Sequence, residues 1–350
     1  MNIKSLLIGS AAALAAVSGA QAADAIVAAE PEPMEYVRVC DAFGTGFFYI
    51  PGTETCLKIG GFVRTQYSFG SDNHTYGVGS SQSYLSSTSN SDWDSHTLVD
   101  VNFDARTDTE LGTLRSYINF EARADGGDQG GAFYIDEAYI ELGGFRAGYF
   151  YSWWDSGING EVDTLGGSAT TEFNSIAYTY DGGTWRAGVS LDELDTELTD
   201  GFHHDLGIAG TVGFSLGGVN LDILGGYDNW AEEGAIRAIL SADLGPGTLQ
   251  VAGIWSSDPN VYWDRSEWTV AASYAFRATE KLTIVPAVQY FNNIANGGAT
   301  WGNDDQWRVG LTVGYEIVNG LNLLATADYN KVNHGNDDFT RGFLRLQRDF

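Results

Sequence analysis

The sequence predicts an all-β chain, a transmembrane antiparallel β-barrel of 16 strands. Three observations carry that expectation. From Leu57 onward apolar and polar residues alternate at period two, in runs of about ten residues, the length a tilted strand needs to cross a bilayer. The connectors between runs alternate short and long. Aromatic residues collect at both ends of the apolar faces. Composition agrees, because Gly 45 and 13% aromatics with only 6 Pro and 2 Met suit many strands joined by tight turns.

At the N-terminus, Met1 to Lys4 form a short positive region and Leu6 to Val17 an apolar one rich in Ala. Ala20-Gln21-Ala22 then reads as an A-x-A cleavage site. Residues 1–22 are expected to be a cleaved export signal. Residues 23–350 follow as a single barrel domain, with strands and loops over 57–350. A membrane anchor is the alternative reading, but the apolar run is shorter than the roughly 20 residues of a span. Beyond Ala23 no stretch approaches about 18 uninterrupted apolar residues, so no transmembrane helix is expected. Loss of Lys4 takes the formal charge from -28 to -29. Nucleic acid is thereby excluded as an expected partner. The balance suits a lipopolysaccharide surface bridged by divalent cations, and would equally suit a soluble acidic enzyme.

Cys40 and Cys56 are the two cysteines. In an exported chain they are expected to pair, stabilising by roughly 3 kcal/mol in a chain-entropy estimate. A metal site is the weaker reading, since no His or further Cys stands beside either.

The strands follow in order. Leu57–Phe69 sets Ile59, Val63, Tyr67 and Phe69 against Lys58, Arg64, Gln66 and Ser68. His96–Arg106 sets Val99, Val101 and Phe103 against His96, Asp100, Asn102, Asp104 and Arg106. Leu114–Arg123 sets Leu114, Ile118 and Phe120 against Arg115, Asn119, Glu121 and Arg123. Phe133–Leu142, Phe145–Phe150, Asn174–Tyr180, Thr184–Leu191, Ile208–Leu216 and Leu221–Tyr227 come next. The last seven are Ala235–Leu244, Leu249–Trp255, Trp268–Phe276, Lys281–Tyr290, Trp307–Ile317, Leu321–Tyr329 and Phe339–Phe350. The even count is what bacterial single-chain barrels require.

Short links carry turn chemistry, as in Gly143-Gly144, Asp181-Gly182-Gly183 and Val318-Asn319-Gly320. Long polar loops such as Gly70–Ser95, Tyr151–Phe173, Asp192–Gly207 and Phe291–Gln306 lie between them. With both termini in the periplasm, every short link falls on the periplasmic side. Tyr67, Tyr149, Tyr227, Trp255, Trp268, Tyr290, Trp307 and Tyr329 end the apolar faces at the long-loop side. Tyr180, Trp185, Phe276 and Phe350 end them at the other. Amphipathic rings prefer those two interfaces. A soluble β-sandwich or small barrel also alternates, but it rarely needs 16 strands with Arg at strand centres.

The final strand, Phe343-Leu344-Arg345-Leu346-Gln347-Arg348-Asp349-Phe350, closes on an aromatic residue and resembles the assembly signal of outer-membrane barrels. Arg348 departs from the apolar residue usual at its parity. Tyr36-Val37-Arg38-Val39-Cys40-Asp41, followed by Phe48-Tyr49-Ile50-Pro51-Gly52-Thr53-Glu54-Thr55-Cys56-Leu57, is more specific. With the export signal it closely resembles the mature N-terminus of the alphaproteobacterial general porins. The sharp motifs lie only at the two ends; the middle loops have no match. The resemblance implies a homotrimer in the bacterial outer membrane and a third extracellular loop folded into the lumen. It implies passive passage of small hydrophilic solutes and ions, with no catalysis and no cofactor.

Selectivity in such a pore comes from its narrowest part and the charges there. The third long loop, Tyr151–Phe173, contains Trp153, Trp154, Asp155, Glu161 and Asp163. The resemblance puts it in the lumen as the constriction; a surface loop with solvated acids is the alternative. Parity assigns Arg64 and Arg345 to the opposing wall, near each other at mid-height where the first and last strands meet. Arg341 and Arg106 share that parity above and below, and Asp100 and Glu121 add lumen acids. Arginine facing lipid at mid-depth costs about 2–4 kcal/mol, so these positions need a wet lumen. Acids facing arginines create a transverse field that favours polar solutes, although each Arg could simply brace a neighbouring acid. The excess of acids predicts a mild cation preference.

Other constellations are weaker. Among His74, His96, His203, His204 and His334 only His96 lies on a strand, as a polar lumen residue or, with Asp100, as a hydrolase-like base. His203-His204 and the repeated Gly302-Asn303-Asp304-Asp305 and Gly335-Asn336-Asp337-Asp338 lack metal-site spacing, so no metal is expected. Three rivals remain open. A sugar-specific channel would use Trp153 and Trp154 as a stacking slide, an outer-membrane hydrolase would use His96, and an adhesion barrel would have a plugged lumen.

Overall fold

The computed structural model describes residues 38–70, 78, 92–125, 133–168, 171–196, 203–295, 300–334 and 338–350. The expected export signal and cleavage site, His74, and Gly335-Asn336-Asp337 lie outside the described residues, as does the side chain of His203. A two-residue strand, β1 (Phe48–Tyr49), pairs with the start of β2. The barrel strands are β2 (Cys56–Gly70), β3 (Trp93–Thr109), β4 (Gly112–Asp125), β5 (Phe133–Leu142), β6 (Phe145–Tyr151), β7 (Glu172–Asp181), β8 (Trp185–Thr196) and β9 (His203–Leu216). They continue as β10 (Val219–Asp228), β11 (Glu233–Leu244), β12 (Gly247–Ser256), β13 (Ser266–Arg277), β14 (Leu282–Ile294), β15 (Gln306–Val318), β16 (Leu321–Val332) and β17 (Phe339–Asp349).

Each strand pairs antiparallel with the next, and β17 pairs with β2 to close the ring of sixteen. Closure matters physically, since an unpaired backbone edge in lipid costs several kcal/mol per unsatisfied group. The only described helices are two three-residue 3-10 turns, Asp41–Phe43 and Trp153–Asp155. None could cross a membrane.

The barrel is inverted relative to a soluble protein. On β15, Arg308 is 0% exposed whereas the next residue, Val309, is 57% exposed. Ile59, Val63, Tyr67, Ile236 and Leu344 likewise face outward while Gln66, Asp100, Arg237 and Arg345 are buried. Outward aromatics meet across strands, with Trp268 and Tyr290 centroids 5.2 Å apart and Tyr290 and Trp307 4.8 Å. Tyr180 and Trp185 do the same, at 5.1 Å, beside a short turn.

Cys40 and Cys56 form a disulfide. With Phe47, and with Phe43 and Tyr49 against them, they make a small apolar cluster at the start of β2. Strand β5 carries a bulge: Asn119 of β4 pairs with Glu137 while Phe120 pairs with Ile135, leaving Asp136 as the extra residue. The apolar phase slips there, from Phe133 and Ile135 to Ala138, Ile140 and Leu142, and two consecutive acids turn toward the lumen.

Candidate functional site

Loop three leaves β6 at Tyr151, returns at Glu172, and crosses the lumen between. Its base is closed by Ser152 N–H donating to Thr171 O (2.8 Å) and by the Ser152 hydroxyl accepting from Trp154 N–H (3.2 Å). The wall it reaches is far from its origin in strand order. Asn159 N–H donates to Gln250 of β12 (2.6 Å), Thr164 N–H to Gln289 of β14 (2.8 Å), and Glu161 N–H to the Thr312 hydroxyl of β15 (3.0 Å). The third long loop is folded inward.

Two buried arginines hold its backbone. Arg237 of β11 donates to the carbonyls of Trp153 (2.6 Å), Trp154 (2.9 Å) and Leu165 (2.7 Å). Arg308 of β15 donates to Val162 O (2.9 Å), to the Thr164 hydroxyl (2.8 Å) and to Val78 O. A guanidinium has five N–H donors in a fixed fork, so one side chain satisfies several loop carbonyls that have no strand partner. Room for the loop comes from small wall residues. A Cβ on Gly310 would lie 2.8 Å from the Val162 side chain, and one on Gly226 would lie 2.5 Å from the Tyr262 ring.

A second loop, between β12 and β13, also turns inward. Its Tyr262 hydroxyl donates to Asp192 (2.7 Å), and its ring packs against Trp154 and Phe173, each at 5.9 Å. Arg265 donates to Gly167 O (3.1 Å), and Ser168 bonds to Asp264. Burial, with the nearby Asp192 carboxylate, holds the Tyr262 hydroxyl well above its ordinary range. The two loops and the walls of β9 to β14 thus share one apolar core.

The three loop acids do not act together as expected. Asp155 accepts from the Thr171 hydroxyl at the loop base (2.8 Å). Asp163 turns into the loop itself and accepts from Ile158 N–H (3.3 Å). Its burial pushes the carboxyl up to about 6, an effect that the Ile158 N–H partly offsets. Of the three, Glu161 is the one that forms an ion pair with a wall arginine among the described residues, with Arg345 Nη1 3.4 Å from Oε1. Burial raises the Glu161 carboxyl, and Arg345 and Arg64 pull it back. The separation follows from the loop's bent path: residues 159–162 turn rather than run extended, with Gly160 at φ 97°, so side chains two positions apart leave in different directions.

The basic residues divide too. Arg345 lies opposite Gln66 and bonds to it (2.8 Å), while Arg64 lies opposite Gln347 and bonds to that (2.7 Å). The two arginines are diagonal neighbours rather than a facing pair. Arg341 lies opposite Asp328 of β16. Arg106 sits at the level of Cys56, toward the short-turn end, held to Asp104 at 2.7 Å and stacked over Phe47. Arg115 shares Asp104 (3.0 Å), so that arginine braces an acid instead of facing loop three.

On the wall of β3 to β5, Asp100 and Glu121 face each other across the ladder, and the bulge adds Asp136. Asn119 bridges Asp100 and Asp136 (2.8 and 2.9 Å), Tyr134 donates to Glu121 (2.5 Å), and Tyr151 to Asp136 (2.9 Å). Carboxylate oxygens of the three acids come within 4.8 Å of one another. His96 is buried on the lumen face of β3, level with Gln66. Trp154 is 1% exposed and sealed in the loop core, which removes it from any stacking path; Trp153 is half-buried.

Parity reasoning did not single out Arg237, Arg308, Asp136 or Tyr262. The two arginines obey the same rule as Arg64, the phase slip in β5 announced Asp136, and the run Val261-Tyr262-Trp263 is an apolar island in a polar loop.

A closed barrel of sixteen strands agrees with comparison to known proteins. The family model described as the porin subfamily matches residues 24–343. The chain belongs to the porin family. A Sinorhizobium fredii chain bearing an outer-membrane-protein name, y4fJ, is 54% identical over 100% of this chain and 99% of its own. Outer membrane protein IIIA of Rhizobium leguminosarum bv. viciae is 44% identical over 98% and 93%, and porin Omp2b of Brucella neotomae 34% over the whole of both. Among solved structures, the outer membrane channel DcaP of Acinetobacter baumannii superposes with a TM-score of 0.68 at 14% identity, covering 86% of this chain and 99% of that one. This porin is accordingly an outer-membrane diffusion channel.

Proposed function

We propose that this porin is a passive, weakly cation-preferring pore for small hydrophilic solutes, with loop three as its constriction. The pairing of Glu161 with Arg345 carries the reading. It fastens an acid of the loop to a base of the wall, 3.4 Å apart, and so sets both signs of charge at the edge of the narrowed lumen, where they orient water and polar solutes. Arg64 and Arg341 extend the basic side, and Asp100 and Glu121 with Asp136 form an acidic patch on β3 to β5. Asp155 and Asp163 support the loop's shape rather than its charge. Acids outnumber bases by 28 in the chain, which favours cations at the mouth. We further infer a homotrimer facing lipopolysaccharide, exported with loss of residues 1–22.

Planar-bilayer recording in two salts of different ion mobility tests the reading. A measurable conductance with a reversal potential shifted toward cations at low salt is expected; a barrel with no conductance would return the plugged, adhesive alternative. A hydrolase built on His96 would need activity that His96→Ala abolishes. The sugar-specific alternative retains Trp153 as its aromatic platform, without Trp154.

A further inference from the structure

A cavity of about 450 Å³ opens off the lumen between the Gly143-Gly144 turn and Trp153 at the start of loop three. Glu141, Arg146, Phe150, Trp153, Arg186 and Ser190 form its walls. Small-molecule sites occupy roughly 300–1,000 Å³, so the space suits one small solute.

Two observations point to a ligand. Ser190 is 3% exposed, yet its hydroxyl has no hydrogen-bond partner. Buried hydroxyls are nearly always paired, and one that lines a cavity without a partner calls for an occupant. Trp153, half-buried, lies across β8 at Gly188, where a Cβ would come within 2.7 Å of the indole. The missing side chain lets the ring lie close on the wall beside the cavity.

Charge balance selects the class of ligand. Arg146 uses Nε and Nη2 on Glu141 (3.3 and 3.1 Å), and Arg186 is ion-paired to Asp222. Asp192, at the cavity edge, already accepts from Ser175 (2.7 Å) and Tyr262 (2.7 Å). Arg115 also draws on Glu141 (3.7 Å), but the lining itself balances two acids, Glu141 and Asp192, against two bases, Arg146 and Arg186, which disfavours an anion. Each guanidinium still has N–H donors beyond those on its carboxylate. A neutral molecule with several hydroxyls and one apolar ring face matches this lining: hydroxyls for Arg146, Arg186 and Ser190, the ring face for Trp153.

We propose that this cavity is a weak binding site for a neutral pyranose sugar. It deepens the channel reading and rests on it for access, since the sugar would pause here while crossing the lumen.

Glucose titrated against the full-length barrel, by calorimetry in detergent and by single-channel recording, tests the site. Sorbitol, a linear polyol without the ring, is the control. We expect saturable heat and saturable current reduction with glucose and neither with sorbitol. Trp153→Ala should weaken glucose binding about tenfold, as for loss of one aromatic contact. Ser190→Ala deletes one hydroxyl, spares the loop packing and should weaken binding several-fold. Equal, non-saturating responses to both polyols would overturn the proposal, as would variants that bind glucose unchanged. Tighter binding of glucuronate than glucose would reassign the cavity to anions and also overturn it. If no conductance appears, the channel reading fails, while the calorimetric comparison still decides the sugar site.

Discussion

Arg308 Nη1 donates to the carbonyl of Val162 at 2.9 Å, so a fully buried cation of β15 is committed to the backbone of loop three. The same guanidinium holds the Thr164 hydroxyl and Asn330 Oδ1 (2.8 and 2.7 Å). A porin wall is thus more than a lining of charges for the pore, because some of its arginines are structural.

Replacing that residue separates the two roles. Arg308→Met keeps much of the volume but removes the donor to the Val162 carbonyl and the Thr164 hydroxyl, while Gln306 Nε2 still reaches Val78 O (2.9 Å). We expect loop three to lose about 2–3 kcal/mol of seating, read as faster proteolysis within residues 152–171 and noisier single-channel current. Wild-type protease resistance in the variant would show that the neighbouring Gln289 and Arg237 contacts suffice.

Glu161 and Asp163 should differ in their effect on ion selection. Glu161→Gln removes the acid that faces Arg345, and the reversal potential should move toward anions. Asp163→Asn should shift it little, because that carboxylate points into the loop. The Glu161 effect should shrink as the Debye length falls from about 30 Å at 0.01 M to about 3 Å at 1 M salt. An equal shift from both variants would place both acids on the ion path.

Asp163 also makes the loop pH-sensitive. Its carboxyl is raised from 3.8 to about 6 in the folded loop, so the folded state holds a proton that the unfolded loop has released. The resulting stability is fully present below about 3.8 and is lost as pH rises through about 6. Loop three should therefore resist protease better near pH 5 than above pH 7, and Asp163→Asn should flatten that dependence. A wild-type profile that rises with pH would contradict the assigned direction.

The strands were legible in the sequence because lipid outside and water inside impose opposite demands on alternate residues. Ile59 and Val63 could only face out, and Gln66 and Arg345 only in. The site was legible in part. Parity says that Arg64, Arg237 and Arg308 all face inward, but it cannot say which face water and which face a folded loop; that depends on where residues 152–171 travel. Asp136 needed the bulge in β5, visible only as a slip of the apolar phase after Ile135. The sealing of Trp154 required a second inward loop, and nothing in its own neighbourhood implied Tyr262.

The disulfide between Cys40 and Cys56 should leave no alkylatable thiol in the unreduced, unfolded chain. Replacing both by Ser should cost roughly 3 kcal/mol, measured as a lower midpoint of thermal unfolding in detergent. An unchanged midpoint would mean that the Phe43, Phe47 and Tyr49 packing holds the segment unaided.

Phe350 exchanges backbone bonds with Gly61, at 3.0 and 3.2 Å, and its ring is exposed on the outer face of the barrel. Deleting it removes the last rung of the seam and the terminal aromatic together. The amount of barrel inserted in the membrane should fall, judged by heat-modifiable mobility on gels. Normal insertion would remove the residue from any assembly role.

The seam between β2 and β17 also orders events in time. Arg64 bonds to Gln347 across 283 positions, and no shorter piece of chain can make that join. While synthesis and export proceed from the N-terminus, β2 waits with one bare edge until β17 is delivered. An open edge has no place in lipid and invites pairing with other chains in water. Such long-range pairing is also slow. Any delay before β17 arrives therefore lengthens the life of that bare edge without altering a single contact of the finished barrel.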